Sequence, residues 1–143
     1  MKLYDYINNG CLAGDYNCAE KILRGADAAY GLNLPCEALK LSAGFGSGMG
    51  VCNTCGVVTA GVMVLSHLFV RERGHESKLI GTVCAQYIKE FERAMTCTDC
   101  LTLRKLYRTP EDGCKKVILT AAMILDGVIE RNKEHICVQI KPL

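Results

Sequence analysis

Ten cysteines occupy this 143-residue chain, at positions 11, 18, 36, 52, 55, 84, 97, 100, 114 and 137. Cys18, Cys55, Cys100 and Cys114 each fall at or near the start of a segment with helical periodicity. The amino end of a helix presents free N–H groups and partial positive charge, so it favours anions. A thiol placed there ionises more easily, and an anionic metal–thiolate centre gains from the same field. If the four helices converge, four thiolates meet in one electropositive, mostly apolar pocket. Four cysteine ligands serve the common iron–sulfur clusters and also a structural zinc. Cys18, Cys55, Cys100 and Cys114 are therefore the candidate metal ligands.

Two C-x-x-C pairs, Cys52-Asn53-Thr54-Cys55 and Cys97-Thr98-Asp99-Cys100, carry a second possibility. They suggest zinc, yet 41 residues and a pair of helices separate them, which is long for a ribbon. A C-x-x-C ahead of a helix is also a dithiol redox arrangement, in which Cys55 attacks and Cys52 resolves. The βαβ pattern that usually frames such a dithiol is absent. Cys84 lies on an apolar stripe and reads as core, while Cys11, Cys36 and Cys137 have no partner at an informative spacing. His67 interrupts an apolar helix, and His75 and His135 sit in charged contexts. Cluster, dithiol, zinc and an inert cysteine-rich fold all remain open on the residues alone.

The elements that must position these thiols are organised around residues 44–70, GFGSGMGVCNTCGVVTAGVMVLSHLFV. Glycine alternates with Phe45, Ser47 and Met49 up to Gly50, so the backbone there can take positive φ and approach another group closely. This loop fails the spacing of a nucleotide-binding loop and follows no strand. Its expected job is to lie against the cysteine site and donate N–H groups to sulfur, which tunes a cluster's potential. Gly46, Gly48 and Gly56 are the candidate cofactor-contacting glycines. The apolar run that follows predicts a central helix over about 55–72, buried on every side.

Around it the periodicity predicts a short helix over 3–9 and a helix from Cys18 to Tyr30 capped by Asp15–Asn17 and stopped by Gly31. A helix from Pro35 to Gly44, a long helix over Ser77–Met95 and a short one over Cys100–Tyr107 follow. The acidic Thr109-Pro110-Glu111-Asp112 reads as the start of the last helix. Residues 136–143 read as weakly extended. The expectation is a single all-α domain over 1–143, a bundle of about five to six helices.

Bulk properties narrow the function. A net charge of +2, no Trp and three Phe leave little for nucleic-acid binding. Met1-Lys2-Leu3-Tyr4-Asp5 does not open a secretory signal, and residues 57–70 are shorter than the roughly 20 apolar residues that span a bilayer. The expectation is a cytoplasmic protein that is not membrane-embedded. In a reducing compartment ten cysteines point to metal, cluster or redox chemistry rather than to a disulfide framework.

The same residues resemble the C_GCAxxG_C_C family of small redox-active proteins. The family's first cysteine opens a helix, as in Tyr16-Asn17-Cys18-Ala19-Glu20. Its central motif, commonly C-G-A-x-x-G after a glycine-rich loop, resembles Cys55-Gly56-Val57-Val58-Thr59-Ala60. Its third cysteine follows an aromatic-bearing helix and precedes a leucine, as Phe91 and then Cys100-Leu101 do. Its fourth opens the terminal helix, as in Cys114-Lys115-Lys116-Val117. The likeness covers roughly residues 10–130. Val57 stands where the family has Ala, and Ala60 where it has Gly, with Gly61 one place later. The family is also similar to the helical iron–sulfur domain of split-Soret cytochromes, and that relation implies a cluster. It further implies redox activity through the cysteines, an unidentified redox partner protein and a functional link to a transporter. A homodimer is compatible with so apolar a helical chain.

Overall fold

Seven α-helices follow one another along the chain in the computed structural model, which describes residues 1–143. They are α1 Leu3–Asn8, α2 Cys18–Tyr30, α3 Cys36–Leu39, α4 Gly56–Phe69, α5 Ile80–Met95, α6 Cys100–Tyr107 and α7 Lys115–Arg131. The architecture is all-α, as the periodicity predicts. The helix expected from Pro35 to Gly44 is present as the single turn α3, continued by a tighter helical run over Lys40–Phe45.

Asn17 starts α2 with a reciprocal cap. Its side chain accepts the Glu20 N–H at 3.0 Å, while Glu20 Oε1 accepts the Asn17 N–H at 3.2 Å, which satisfies two otherwise orphaned donors. Gly31 ends the helix at φ 68°, a conformation glycine takes without a Cβ penalty.

Helix α4 is the axis of the bundle. It packs on α2, α5 and α7, and none of its residues is exposed to solvent. Val57, Ala60, Val64, Leu65 and Leu68 are fully buried, each larger one contributing about 1.5–3 kcal/mol. Its closest approach to α5 runs through Gly61, whose missing Cβ leaves room for the Tyr87 ring. The Tyr87 hydroxyl then donates to the Val57 carbonyl at 2.6 Å.

The two ends of the chain close on each other. Asp126 of α7 accepts the Leu3 N–H at 2.8 Å, the Tyr4 N–H at 2.9 Å and the Tyr30 hydroxyl at 2.8 Å. It thereby satisfies the free amino end of α1, whose Leu3 is fully buried.

Four boundaries differ from those read in the sequence. Helix α4, expected over about 55–72, runs from Gly56 to Phe69. Thr109–Gly113 closes a tight turn, with the Gly113 N–H donating to the Thr109 carbonyl at 2.8 Å and the reverse bond at 3.1 Å. That turn replaces the expected helix start at Pro110, and α7 begins at Lys115 behind Cys114. Helix α5 begins at Ile80, where Ser77 Oγ accepts the Ile80 N–H at 3.1 Å. Residues 136–143 pair with no strand; Cys137 and Lys141 donate singly to the Leu68 and Tyr30 carbonyls, each at 2.8 Å. No helix is long and apolar enough to cross a membrane.

Candidate functional site

Two segments remote in sequence are joined at the amino ends of α4 and α6. Thr54 and Asp99 face each other in a short antiparallel bridge. The Cys55 N–H donates to the Thr98 carbonyl at 2.8 Å, and the Cys100 N–H to the Asn53 carbonyl at 2.6 Å. The two C-x-x-C segments therefore lie side by side. Asp99 then caps α6 by accepting the Thr102 N–H at 2.9 Å.

The four candidate ligands occupy equivalent helical addresses. Cys18 and Cys100 are the first residues of α2 and α6, and Cys55 and Cys114 are the N-cap residues of α4 and α7. In α4 and α7 a thiol thus stands where an oxygen-bearing side chain ordinarily caps, and neither thiol makes a cap hydrogen bond. Cys55 and Cys100 are buried, each 5% exposed, while Cys18 and Cys114 are half-buried.

Cys18 and Cys55 lie close enough to act on each other's proton, and Cys52, Cys18 and Cys114 lie close enough to Cys100 to act on its charge. The hydrogen bond from Cys55 does most to hold Cys18 below the usual thiol range. Burial works the other way, and the N–H groups of Ala19, Ser47 and Gly56 add to the lowering. Cys55 is pushed up in turn, first by keeping the proton it shares with Cys18 and then by burial. Burial also pushes Cys100 up, opposed by the Arg104 guanidinium. Within the pair Cys18 is thus the thiol more readily ionised, at a place where helix ends favour negative charge.

The glycine loop covers this pair. Ser47, Gly48, Met49 and Gly50 all have positive φ, at 54°, 57°, 61° and 78°, and Cys52 follows at 54°. Residues with a Cβ are held in this left-handed region at about 1–3 kcal/mol each, so surrounding contacts must fix Ser47, Met49 and Cys52. The glycines serve close approach of protein to protein. A Cβ on Gly56 would meet Cys18 Sγ and the Phe45 carbonyl, both at 2.9 Å. One on Gly48 would meet the Asn53 backbone and Cys100 Cβ, and one on Gly46 the Asn17 side chain that caps α2.

Cys52 is half-buried, and the thiol in contact with Cys55 is Cys18, not Cys52. Cys97 hydrogen-bonds to Asp99, Cys84 packs against the core edge, and Cys11 and Cys36 are exposed. Cys137 lies at the far end of α4, its backbone bonded to Leu68. His135 makes only a surface pair with Glu134 at 3.6 Å. No three His, Cys, Asp or Glu side chains are set closely enough to share one metal ion. A cavity of about 260 Å³ opens beside Cys114, lined also by Lys21, Asp112 and Ile118.

Sequence reasoning passed over two residues here. Ser47 sends its N–H to Cys18, and Arg104 reaches Ser47 Oγ at 2.9 Å. Arg104 lies four residues after Cys100, the spacing that places both on one helix face, and that was the available signal.

A family model described as "Putative redox-active protein (C_GCAxxG_C_C)" matches residues 16–128. No curated protein and no solved structure matches the chain.

Proposed function

The chain belongs to the C_GCAxxG_C_C family of redox-active proteins, and from that premise we propose that it is an electron-transfer or redox-sensing protein. In this reading Cys18, Cys55, Cys100 and Cys114 hold an iron–sulfur cluster. The observation that supports the reading is that Cys18, Cys55, Cys100 and Cys114 all stand at helix amino ends, with Cys18 and Cys114 within charge range of Cys100. Four thiolates are the donor set such clusters use, and helix ends together with Arg104 offset their charge. A bound cluster would supply one-electron chemistry. The chain's part is to hold the thiolates, exclude water with α4 and the glycine loop, and aim the Ser47 and Gly56 N–H groups at sulfur. Such hydrogen bonds raise a cluster's potential by stabilising added negative charge.

A single zinc ion needs its sulfurs within about 3.8 Å of one another, from Zn–S bonds of about 2.3 Å in a tetrahedron. No three ligand-type side chains lie close enough to share one such ion. The reading carries with it one cysteine-rich redox domain over residues 1–143, a protein redox partner, a cytoplasmic setting where free thiols persist, a functional link to a transporter and homodimer formation.

The Cys18–Cys55 contact supports a second reading, a thiol–disulfide oxidoreductase. Cys18 thiolate attacks a disulfide on a partner protein, and one partner sulfur leaves as thiolate. Cys55, on losing its proton, then displaces the second, leaving Cys18–Cys55 oxidised and the partner reduced to a dithiol.

Anaerobic purification with iron, acid-labile sulfide and zinc analysis separates the readings. The cluster reading expects a brown protein with iron and sulfide, lost in each of Cys18→Ser, Cys55→Ser, Cys100→Ser and Cys114→Ser. Full cluster occupancy in Cys18→Ser overturns the ligand assignment. A protein that stays colourless and iron-free after reconstitution, with a Cys18–Cys55 disulfide on peptide mapping, selects the dithiol.

A further inference from the structure

Two buried side-chain polar atoms lack a hydrogen-bond partner in this fold, Arg24 Nε and Arg104 Nε. Arg24 is accounted for otherwise: its guanidinium stacks on Tyr16, 4.5 Å from the ring centre, and pairs with Glu20 at 3.9 Å. Arg104 has no acidic partner. Its guanidinium leaves α6, donates through Nη2 to Ser47 Oγ at 2.9 Å and keeps Nε buried, with its charge in range of the Cys100 thiol. A buried guanidinium N–H without an acceptor costs about 1–3 kcal/mol, so its retention asks for a partner in the working state. A sulfur-rich anionic centre at Cys100 would provide one.

Ser47 is the second half of the observation. It is the first of four consecutive positive-φ residues, and its N–H points to Cys18. The Arg104–Ser47 hydrogen bond ties the entry of this strained loop to the helix that carries Cys100. One side chain therefore touches the geometry of the Cys18 donor and the electrostatics of Cys100 together.

We propose that Arg104 is a positioning residue of the thiol site, fixing Ser47 and the left-handed loop over Cys18 and supplying the cation that faces the sulfur centre. Its planar fork does the first task and its charge the second. Arg104→Lys keeps the charge without the fork, and Arg104→Gln keeps neither full function. The cation's effect on a cluster rests on the cluster reading above. The loop and charge effects in metal-free protein stand apart from it.

The test uses the full chain in three measurements. In metal-free protein, amide exchange over residues 47–52 rises about tenfold or more in both variants, while α4 and α7 keep their protection. The local charge is read from labelling of Cys100 by anionic iodoacetate relative to neutral iodoacetamide at one pH. That ratio falls several-fold in Arg104→Gln and holds in Arg104→Lys. In iron-loaded protein the midpoint potential drops in Arg104→Gln and stays near the wild type in Arg104→Lys, because losing a cation disfavours the reduced, more negative state. Unchanged loop exchange overturns the positioning role. A labelling ratio indifferent to both substitutions overturns the charge role. If the wild type takes up no cluster, the cluster reading falls while exchange and labelling still decide the inference.

Discussion

Cys18 and Cys55 divide one proton unequally, and the division predicts their reactivity. Cys18 is held below the usual thiol range mainly by the Cys55 S–H. In metal-free protein its alkylation therefore reaches half-maximal rate below the value of about 8.5 for a free cysteine. Cys55→Ala removes the largest lowering cause, so the midpoint of the rate profile climbs by about one unit or more. Peptide-resolved labelling across pH reads this directly, and an unmoved midpoint contradicts the shared proton. The glycines of the loop make a paired prediction. Gly50→Ala introduces a Cβ at φ 78° into open space and costs about 1–2 kcal/mol. Gly48→Ala adds to the same backbone strain a collision with Asn53 and Cys100, so it costs about 1–3 kcal/mol more. Urea unfolding of the two variants measures the difference. The cysteines were legible because a thiol at a helix start has a chemical meaning in any sequence. Ser47 and Arg104 were not, because their roles depend on a loop conformation and a contact across 57 positions.

At the scale of elements, periodicity located the long helices because each buries an apolar stripe against a neighbour. Helix α4 read as buried on every side; Val57, Ala60, Val64, Leu65 and Leu68 are shut from solvent, while Thr59, Val62, Met63, Ser66 and His67 are half-buried along one face. Two junctions escaped. The acidic Thr109–Asp112 carries the residues of a helix cap but spends them on a turn closed by Gly113 at φ 57°, since cap and turn share a chemistry. The pairing of Asn53–Cys55 with Thr98–Cys100 joins two short loops with no strand pattern to announce it. Gly61 offers the sharpest test of how α4 is held. Its missing Cβ is where the Tyr87 ring lies, and that ring is fixed by its bond to the Val57 carbonyl. Gly61→Ala pushes α5 away and destabilises the fold by about 1–3 kcal/mol in chemical denaturation, whereas alanine at the open Gly81, also in a helix, is expected to stabilise it by about 1 kcal/mol.

Across the whole molecule, Asp126 is the junction between the ends of the chain. Replacing it with Ala strands two N–H groups and the Tyr30 hydroxyl, which costs about 3 kcal/mol or more. Thermal unfolding should show this loss, accompanied by faster amide exchange in α1. Burial also pushes the Asp126 carboxyl above its ordinary value. A group raised on folding gives its full stabilisation below its unfolded-state value and loses it as pH rises through the folded one. Wild-type stability should therefore fall relative to Asp126→Asn as pH rises from about 4 toward neutrality. A constant difference between the two proteins across that range contradicts the burial cause.

The clasp between α1 and α7 has a consequence for biosynthesis. Cys114 precedes the last long helix, and that helix carries the Asp126 carboxylate that secures Leu3 and Tyr4. Until α7 has left the ribosome, α1 has no partner for its free amides. Docking of the first helix thus waits for α7 to emerge. A nascent chain arrested before α7 would carry Cys18, Cys55, Cys100 and Cys114 without the helix that Cys114 caps, so under the proposed reading a centre is best loaded after α7 has emerged and docked.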